Sequence, residues 1–371
     1  MHNTKQDALR GVFDALRLFP FSLAVGVCSG FGILGGCVSA LAALVCGAVF
    51  GCAFCPSWLT LLPVFAVTFR FGAGAGAAAI LLSGVFAFLM SLLPQSARKK
   101  FSVPPVACGF LLAEAFTATA LHTTDYFGIG AVGGTTLDIL ADYVSLGFHP
   151  NWRGILYGTI VMVVLITYPR KFKTLSKKIS AAFASLLITF PLHLLLVPRV
   201  EGSPIDEVGI FSYRELFAGA FFPGKIPVQA LPMLLCAALS LALLATNDQN
   251  TRSIRALSAV SLCTGVLGGV PLHTDGTARR PLSALTAAAV TVLLYLCPAL
   301  SRMPVHCLAV ILIVTAWQSI DWGALKKTLT GGTRSILLFV CSAALTVIAG
   351  IHYAVPLLCC LSALQYKYYS D

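Results

Sequence analysis

The chain has little charge: Asp, Glu, Lys and Arg together make up 11% of its 371 residues, whereas soluble domains contain about 25%. Hydrophobic residues account for 58% and the mean hydropathy is +0.88, which leaves too few polar side chains to cover a surface in water. This composition excludes a soluble globular domain, a disordered chain and a collagen-like fibre. The exterior must therefore face lipid, and at about 20 residues per helical crossing the length allows roughly 10 to 14 spans.

Motifs for catalysis and cofactor binding are also missing. The sequence contains no P-loop, no G-x-S-x-G and no H-E-x-x-H, so an enzyme has little support and we expect no cofactor. The 13 cysteines lie almost entirely in apolar runs, which is typical of packing residues, and no histidine spacing indicates a metal site. The net charge of +11 is better explained by basic loops beside a lipid bilayer than by nucleic acid as a partner.

Long apolar runs predict an all-α membrane protein, because a helix satisfies its own backbone hydrogen bonds in lipid. An outer-membrane barrel is disfavoured, since the hydrophobicity does not alternate along these runs. The predicted segments are 11–29, 31–51, 56–69, 73–93, 104–122, 154–169, 179–198, 227–246, 255–271, 281–300, 304–320, 334–350 and 351–365.

The basic residues orient these segments. With the N-terminus in the cytoplasm, 19 Lys and Arg residues fall in inside loops and 5 in outside loops, a strongly positive-inside distribution. We therefore predict a multi-pass protein of the plasma (inner) membrane with both termini in the cytoplasm.

One segment conflicts with this topology. The segment 255–271 should end outside, although Arg279 and Arg280 score as inside. Residues 272–280 would then return through the protein as an extended strand, since nine residues at about 3.3 Å each reach roughly 30 Å. Such backbone is stable at this depth only if it is buried or lines a cavity.

Two interrupted segments occupy matching places in the two halves of the chain. One begins at Pro56 and Ser57, and the other is broken between Gly268 and Thr277. Short segments broken by Gly or Pro in corresponding halves indicate the substrate site of a transporter, and the free amides of a helix's first turn attract an anion. The alternative is a kinked helix beside a polar loop.

Two further charged positions are candidates. Glu114 lies in the middle of the segment 104–122, where a carboxylate is costly, so it is a candidate for coupling transport to protons. The alternative is a protonated or hydrogen-bonded contact between helices. Asp14 and Arg17, one turn apart, are interpreted as a structural pair near the membrane interface.

Several motifs resemble those of the sulfate permease (SulP) family, the bacterial relatives of the solute carrier 26 anion transporters. The family's S-G-P-T resembles Phe54-Cys55-Pro56-Ser57, and its F-G-G-x-P resembles Leu267-Gly268-Gly269-Val270-Pro271. Because the motifs follow one another in the family's order, the resemblance covers most of the chain. The matching stretches are 7–11, 20–25, 54–57, 103–110, 267–271, 280–283 and 303–322.

The resemblance implies a single transporter domain over 1–371, with about 13 to 14 segments in a 7+7 inverted repeat. The repeats would span about 7–200 and 225–366 and form core and gate domains. The implied function is secondary transport of a small anion, such as sulfate or bicarbonate, by alternating access, and a homodimer is implied as well. The anion would lie between two half-helices, and the predicted substrate contacts are Phe21, Pro56, Ser57, Trp58, His273, Thr274 and Thr277.

The sequence departs from the family pattern in three respects. We expect no STAS domain, and Leu241 stands where many bacterial members carry a carboxylate, which puts proton coupling through that position in doubt. Most of the second half-helix, between Pro271 and Arg279, is missing. Two alternatives therefore remain: a transport-inactive membrane protein with this architecture, and, with less support, a membrane-embedded enzyme acting on a lipid.

Overall fold

A computed structural model describes residues 4–55, 58–99, 101, 104–128, 136–146, 150–176, 178–196, 226–245, 250–278, 280–297, 300 and 302–369. In the first half of the chain, the elements are α1 (Thr4–Cys28), α2 (Gly32–Phe50), β1 (Cys52–Cys55), α3 (Trp58–Phe71), α4 (Ala73–Leu92), α5 (Gln95–Lys99), α6 (Pro104–Phe127), α7 (Thr136–Leu146), α8 (Trp152–Lys171), α9 (Lys173–Ser176) and α10 (Ala181–Leu196). In the second half they are a 3-10 turn (Val228–Ala230), α11 (Leu231–Ala245), α12 (Thr251–Leu267), β2 (His273–Ala278), α13 (Pro281–Tyr295), α14 (Val305–Gln318), α15 (Trp322–Thr330), α16 (Thr333–Ala349) and α17 (Ile351–Tyr369).

The helices coincide with the apolar segments predicted from the sequence. Among the described residues, α1, α2, α4, α6 and α8 are long and apolar enough to cross a membrane, and α14 with α15, bent by 44°, forms a further candidate. Shorter apolar helices account for most of the remaining segments. Large apolar side chains face outward, as with Val49 at 74% and Leu293 at 69% exposure, which is expected where lipid is the solvent. The predicted helical, multi-pass membrane fold is confirmed.

The helices form two bundles. In the core bundle, α1 packs along α2 and α13, and α4 packs along α11 and α12. In the gate bundle, α6 packs against α14 and α16, and α8 packs against α10 and α14. The pair α1–α13 corresponds to α11–α4 in the other half of the chain, and α6–α16 corresponds to α14–α8. This equivalence is consistent with the predicted inverted repeat.

An extended segment, not a helix, connects α12 to α13. The Val270 amide donates to Ser39 Oγ at 2.8 Å, about two turns inside α2. Further along, the Arg280 guanidinium binds the Asp7 carboxylate at 2.8 Å, at the start of α1. Because Ser39 lies about two turns inside α2 and Asp7 lies in the first turn of α1, the segment runs from within the core bundle toward the end at which α1 begins. The strand β2 (His273–Ala278) shows extended backbone over six of the nine residues 272–280, and Arg279 lies outside the described residues.

The strand β2 pairs with β1 in an antiparallel ribbon inside the core bundle. Their Cα partners are Cys52 with Ala278, Phe54 with Thr274, and Cys55 with His273. Pairing satisfies backbone groups that lipid would leave without partners, and so the non-helical chain is stable here. The sequence did not predict β1, because four residues without alternation carry no strand signal. The all-α prediction is therefore correct except for this ribbon.

The register of the ribbon predicts a disulfide. Directly opposed Cα atoms in an antiparallel pair lie about 4.5–5.5 Å apart, within the range that a disulfide bridges. We expect Ala278→Cys to cross-link to Cys52 under mild oxidation, detected by mass spectrometry of the joined peptides. Ala284→Cys, buried on α13, is the control and should not join Cys52. Equal cross-linking of both variants would contradict the register.

Helices also occupy part of 123–153, the stretch between the predicted segments 104–122 and 154–169. The helix α6 continues to Phe127, and α7 follows it. Polar residues remain helical here because their side chains bond within the helix: Thr123 Oγ1 donates to the Thr119 carbonyl at 2.5 Å, and His122 pairs with Asp125 one turn on. A composition-based boundary cannot register such local bonds.

Candidate functional site

A cavity of about 450 Å³ lies between the core and gate bundles. Its core side is formed by α1 and β1, and its gate side by α8, α10 and α14. The parts of α8, α10 and α14 that line it are the ends that the charge distribution assigns to the cytoplasm. The lining residues are Asp14, Arg17, Leu18, Phe21, Ala53, Phe54, Leu165, Pro169, Ser176, Ser180, Ala181, Ala182, Thr315, Gln318 and Ser319.

Pro20 shapes the core wall of this cavity. A proline inside a helix has no amide hydrogen, so the carbonyl four residues earlier, on Leu16, loses its helical partner. Ser180, the residue before α10, donates from its Oγ to that Leu16 carbonyl at 3.2 Å. The proline thereby creates a hydrogen-bond acceptor on the core that a gate side chain uses. The next residue, Phe21, is buried and lines the cavity.

The cavity carries charge on α1. Arg17 is exposed and lines the cavity. Asp14, also in the lining, accepts a hydrogen bond from Ser283 Oγ of α13 at 3.3 Å. The hydroxyls of Thr315 and Ser319 donate to carbonyls of their own helix, which leaves their oxygens as acceptors. Arg17 is therefore the lining residue best suited to attract an anion.

The residues just before the first break line the cavity. Phe54 lines it and is followed two positions later by Pro56. Pro56 and Ser57 lie outside the described residues, and Trp58 begins α3. The helix α3 therefore begins three positions after the last residue of β1 in the sequence.

The predicted residues of the second break lie in the ribbon. His273 and Thr274 pair with Cys55 and Phe54 of β1, and Thr277 belongs to β2. The strand ends at Ala278 and α13 begins at Pro281, with α13 packed on α1 in the place equivalent to α4. The predicted loss of the second half-helix agrees with this order of elements, since the chain passes from β2 directly to α13.

Glu114 lies apart from these residues. It is on α6 in the gate bundle and is 1% exposed. Neither carboxylate oxygen has a hydrogen-bond partner among the described residues. The structure does not bring Glu114 together with Phe21 or the ribbon in the cavity lining.

Sequence reasoning missed most of the cavity lining. The spacing of Arg17 and Asp14 indicates only a structural pair, and no motif marks Ser180 or Gln318. The lining residues of α8, α10 and α14 come from distant parts of the sequence and share no motif. Pro20 was the available signal, because a proline within an apolar span marks a carbonyl in need of a partner.

The comparisons with known proteins agree on one architecture. No family model matches the chain. The bicarbonate transporter BicA of Picosynechococcus sp. is 22% identical over an alignment of 392 positions. The alignment covers 95% of this chain and 68% of BicA. The solved transmembrane domain of a cyanobacterial BicA superposes with a TM-score of 0.78 at 19% identity, covering 96% of this chain and 98% of that one.

The chain has the SulP/solute carrier 26 transmembrane fold. Structures of solute carrier 26 member A9 agree with this. One superposes with a TM-score of 0.78 at 12% identity, covering 99% of this chain and 66% of that one. The murine protein, described as an anion transporter in the inward-facing state, gives a TM-score of 0.76 at 13% identity and covers 99% of this chain and 69% of its own. The resemblance read from the sequence motifs is confirmed at the level of this SulP-like fold.

Proposed function

We propose that this protein is a secondary transporter of a small inorganic or organic anion. The observation that carries the proposal is the cavity between the bundles, which reaches Phe21 and the β1 strand leading into α3. A helix N-terminus presents free amides and a partial positive charge, and Arg17 adds a full positive charge in the same cavity. The SulP-like relatives named above are transporters, so we do not propose an enzyme.

The anion is proposed to bind at the inner end of the cavity. Its partners there would be Phe21, Pro56, Ser57 and Trp58 on one side, and His273, Thr274 and Thr277 of β2 on the other. These groups belong to the core bundle, while Ser180 belongs to the gate. Alternating access would move the core past the gate, and the Ser180–Leu16 hydrogen bond would break in that step. We further propose the plasma (inner) membrane, cytoplasmic termini and a homodimer.

Uptake into proteoliposomes tests the proposal. Bicarbonate, sulfate, chloride and dicarboxylates would be offered to purified protein, and we expect saturable uptake of one class above protein-free vesicles. Ala182→Trp fills the cavity from α10 and should abolish uptake. Leu187→Trp, on the same helix but 56% exposed toward lipid, should leave uptake unchanged. Absence of uptake of every anion by folded protein would refute the proposal.

Coupling to protons is proposed to involve Glu114. Leu241, at the position where many SulP members carry a carboxylate, is buried on α11 and cannot titrate. Glu114→Gln keeps the shape and removes the titration, so uptake should lose its dependence on pH. The measurement is the initial uptake rate across a pH series, with the melting temperature of the variant as the control for folding. A pH profile equal to that of the wild type would exclude Glu114.

A transport-inactive protein is the second candidate. It is favoured by the direct passage from β2 to α13, which leaves the ribbon without a second half-helix facing α3. An anion would then be held from one side only. The uptake assay separates the two candidates. If the protein is transport-inactive, the wild type and both tryptophan variants show no uptake.

A further inference from the structure

A cysteine, a histidine and an aspartate meet where the two bundles touch on the side away from the cavity. Cys28 is the last residue of α1, in the core, and His122 and Asp125 lie on the final turns of α6, in the gate. One sulfur, one ring nitrogen and one carboxylate oxygen lie within 4.8 Å of one another. The ring of His122 also packs edge-on against Phe65 of α3, with centroids 6.1 Å apart. The cluster therefore joins core to gate.

The chemistry of these side chains suits a borderline-soft cation. Thiolate, imidazole and carboxylate are the ligands that Zn²⁺ takes in proteins, at about 2.0–2.3 Å. A tetrahedral ion at those distances separates its ligand atoms by about 3.3–3.8 Å. His122 Nδ1 and Asp125 Oδ2 are 2.8 Å apart, so small side-chain rotations open the required space. Water would complete the fourth position.

Access to the cluster is from one side. The side chain of His122 is 0% exposed and that of Asp125 is 28% exposed, while Cys28 is partly buried. An ion from the aqueous phase would meet Asp125 first and then reach the two inner ligands. The charge distribution places this end of α1 and α6 outside the cell.

We propose that Cys28, His122 and Asp125 form a binding site for Zn²⁺ or a similar divalent cation. The bound ion ties α1 to α6 and holds the bundles together on this face while the cavity on the opposite face stays open. The proposed effect of the ion on the two bundles rests on the proposed transport function, whereas the proposed binding site does not. The sequence predicted no metal site, because Cys28 is far from the other two residues along the chain.

Metal binding by the purified full chain tests the site. Co²⁺ serves as a spectroscopic probe, since a thiolate ligand gives a charge-transfer absorption in the near ultraviolet, and Zn²⁺ affinity is measured by competition with a chromogenic chelator. We expect about one tight ion per chain. Cys28→Ser should remove the absorption and weaken Zn²⁺ binding by more than roughly tenfold, and Asp125→Asn should weaken binding by roughly tenfold. Cys263→Ser, at an exposed cysteine of α12, should bind as the wild type does.

Two results would overturn the site: no Co²⁺ or Zn²⁺ bound by the wild type, or unchanged binding and absorption in Cys28→Ser. A second measurement tests whether the bound ion holds the two bundles together. External Zn²⁺ should inhibit uptake by the wild type and not by Cys28→Ser. Zn²⁺ binding without inhibition of uptake would refute the proposal that the ion holds the bundles together. A protein without any uptake in metal-free buffer would instead refute the transport proposal, and the absorption measurement would still decide the site.

Discussion

Replacing Arg17 with glutamate should lower anion uptake by roughly tenfold or more. Arg17 lines the cavity on α1, about one helical turn before Phe21, which also lines it. A positive charge in a cleft with low-dielectric walls raises the local anion concentration, and a negative charge there repels the same anion. The effect should appear in the apparent affinity and should weaken as ionic strength increases, because screening shortens the range of the charge.

A matched control is available on the same helix. Arg10 lies two turns before Arg17 and is also exposed, but it does not belong to the cavity lining. Arg10→Glu makes the same change in net charge and in the positive-inside balance. Its uptake should stay near that of the wild type. Equal losses in Arg10→Glu and Arg17→Glu would assign the effect to topology or to overall charge and not to the cavity.

Gly26→Ala should destabilise the protein by about 3 kcal/mol or more. A Cβ at this position would lie 2.2 Å from the backbone nitrogen of Gly36 and 2.6 Å from the carbonyl oxygen of Gly32. Both neighbours are backbone atoms of α2, so no side chain can rotate away. Relief requires α1 and α2 to separate, and that separation loosens the packing of both helices on α13. The measurement is the melting temperature in detergent, detected as the loss of monodisperse protein on heating.

Gly323→Ala is the control for this substitution. A Cβ there would meet only the Asp321 side chain, at 3.2 Å, at the exposed start of α15. Its effect should stay within about 0.5 kcal/mol. If both alanine variants had the same melting temperature as the wild type, the close approach of α1 and α2 would be wrong.

The sequence was most informative where one strong physical rule applies. Lipid requires helices, so apolar runs predicted the spans, and the distribution of basic residues predicted their orientation. The charges on Arg279 and Arg280 predicted an extended segment over 272–280, and β2 forms such backbone over His273–Ala278. The matching places of the two breaks predicted that Pro56, Ser57, His273 and Thr274 contact one anion, but the pairing of His273 and Thr274 with β1 had no signal in the sequence.

Other features had no signal in the sequence. The length of α6 depends on local bonds such as that between His122 and Asp125, and the β1 strand depends on the presence of its partner. The residues that line the gate side of the cavity come from helices that approach one another only after packing. Ser180, for example, faces the Leu16 carbonyl because α10 lies beside the kinked part of α1.

The sequence by itself determined that this chain is a helical, multi-pass membrane protein and which apolar segments form its helices. These properties follow from composition and from charge, which act on each segment separately. The tertiary structure alone decided what lines the cavity and that Cys28 meets His122 and Asp125. Contacts between segments far apart in the chain depend on shape complementarity among many side chains, and no single stretch of sequence contains that information.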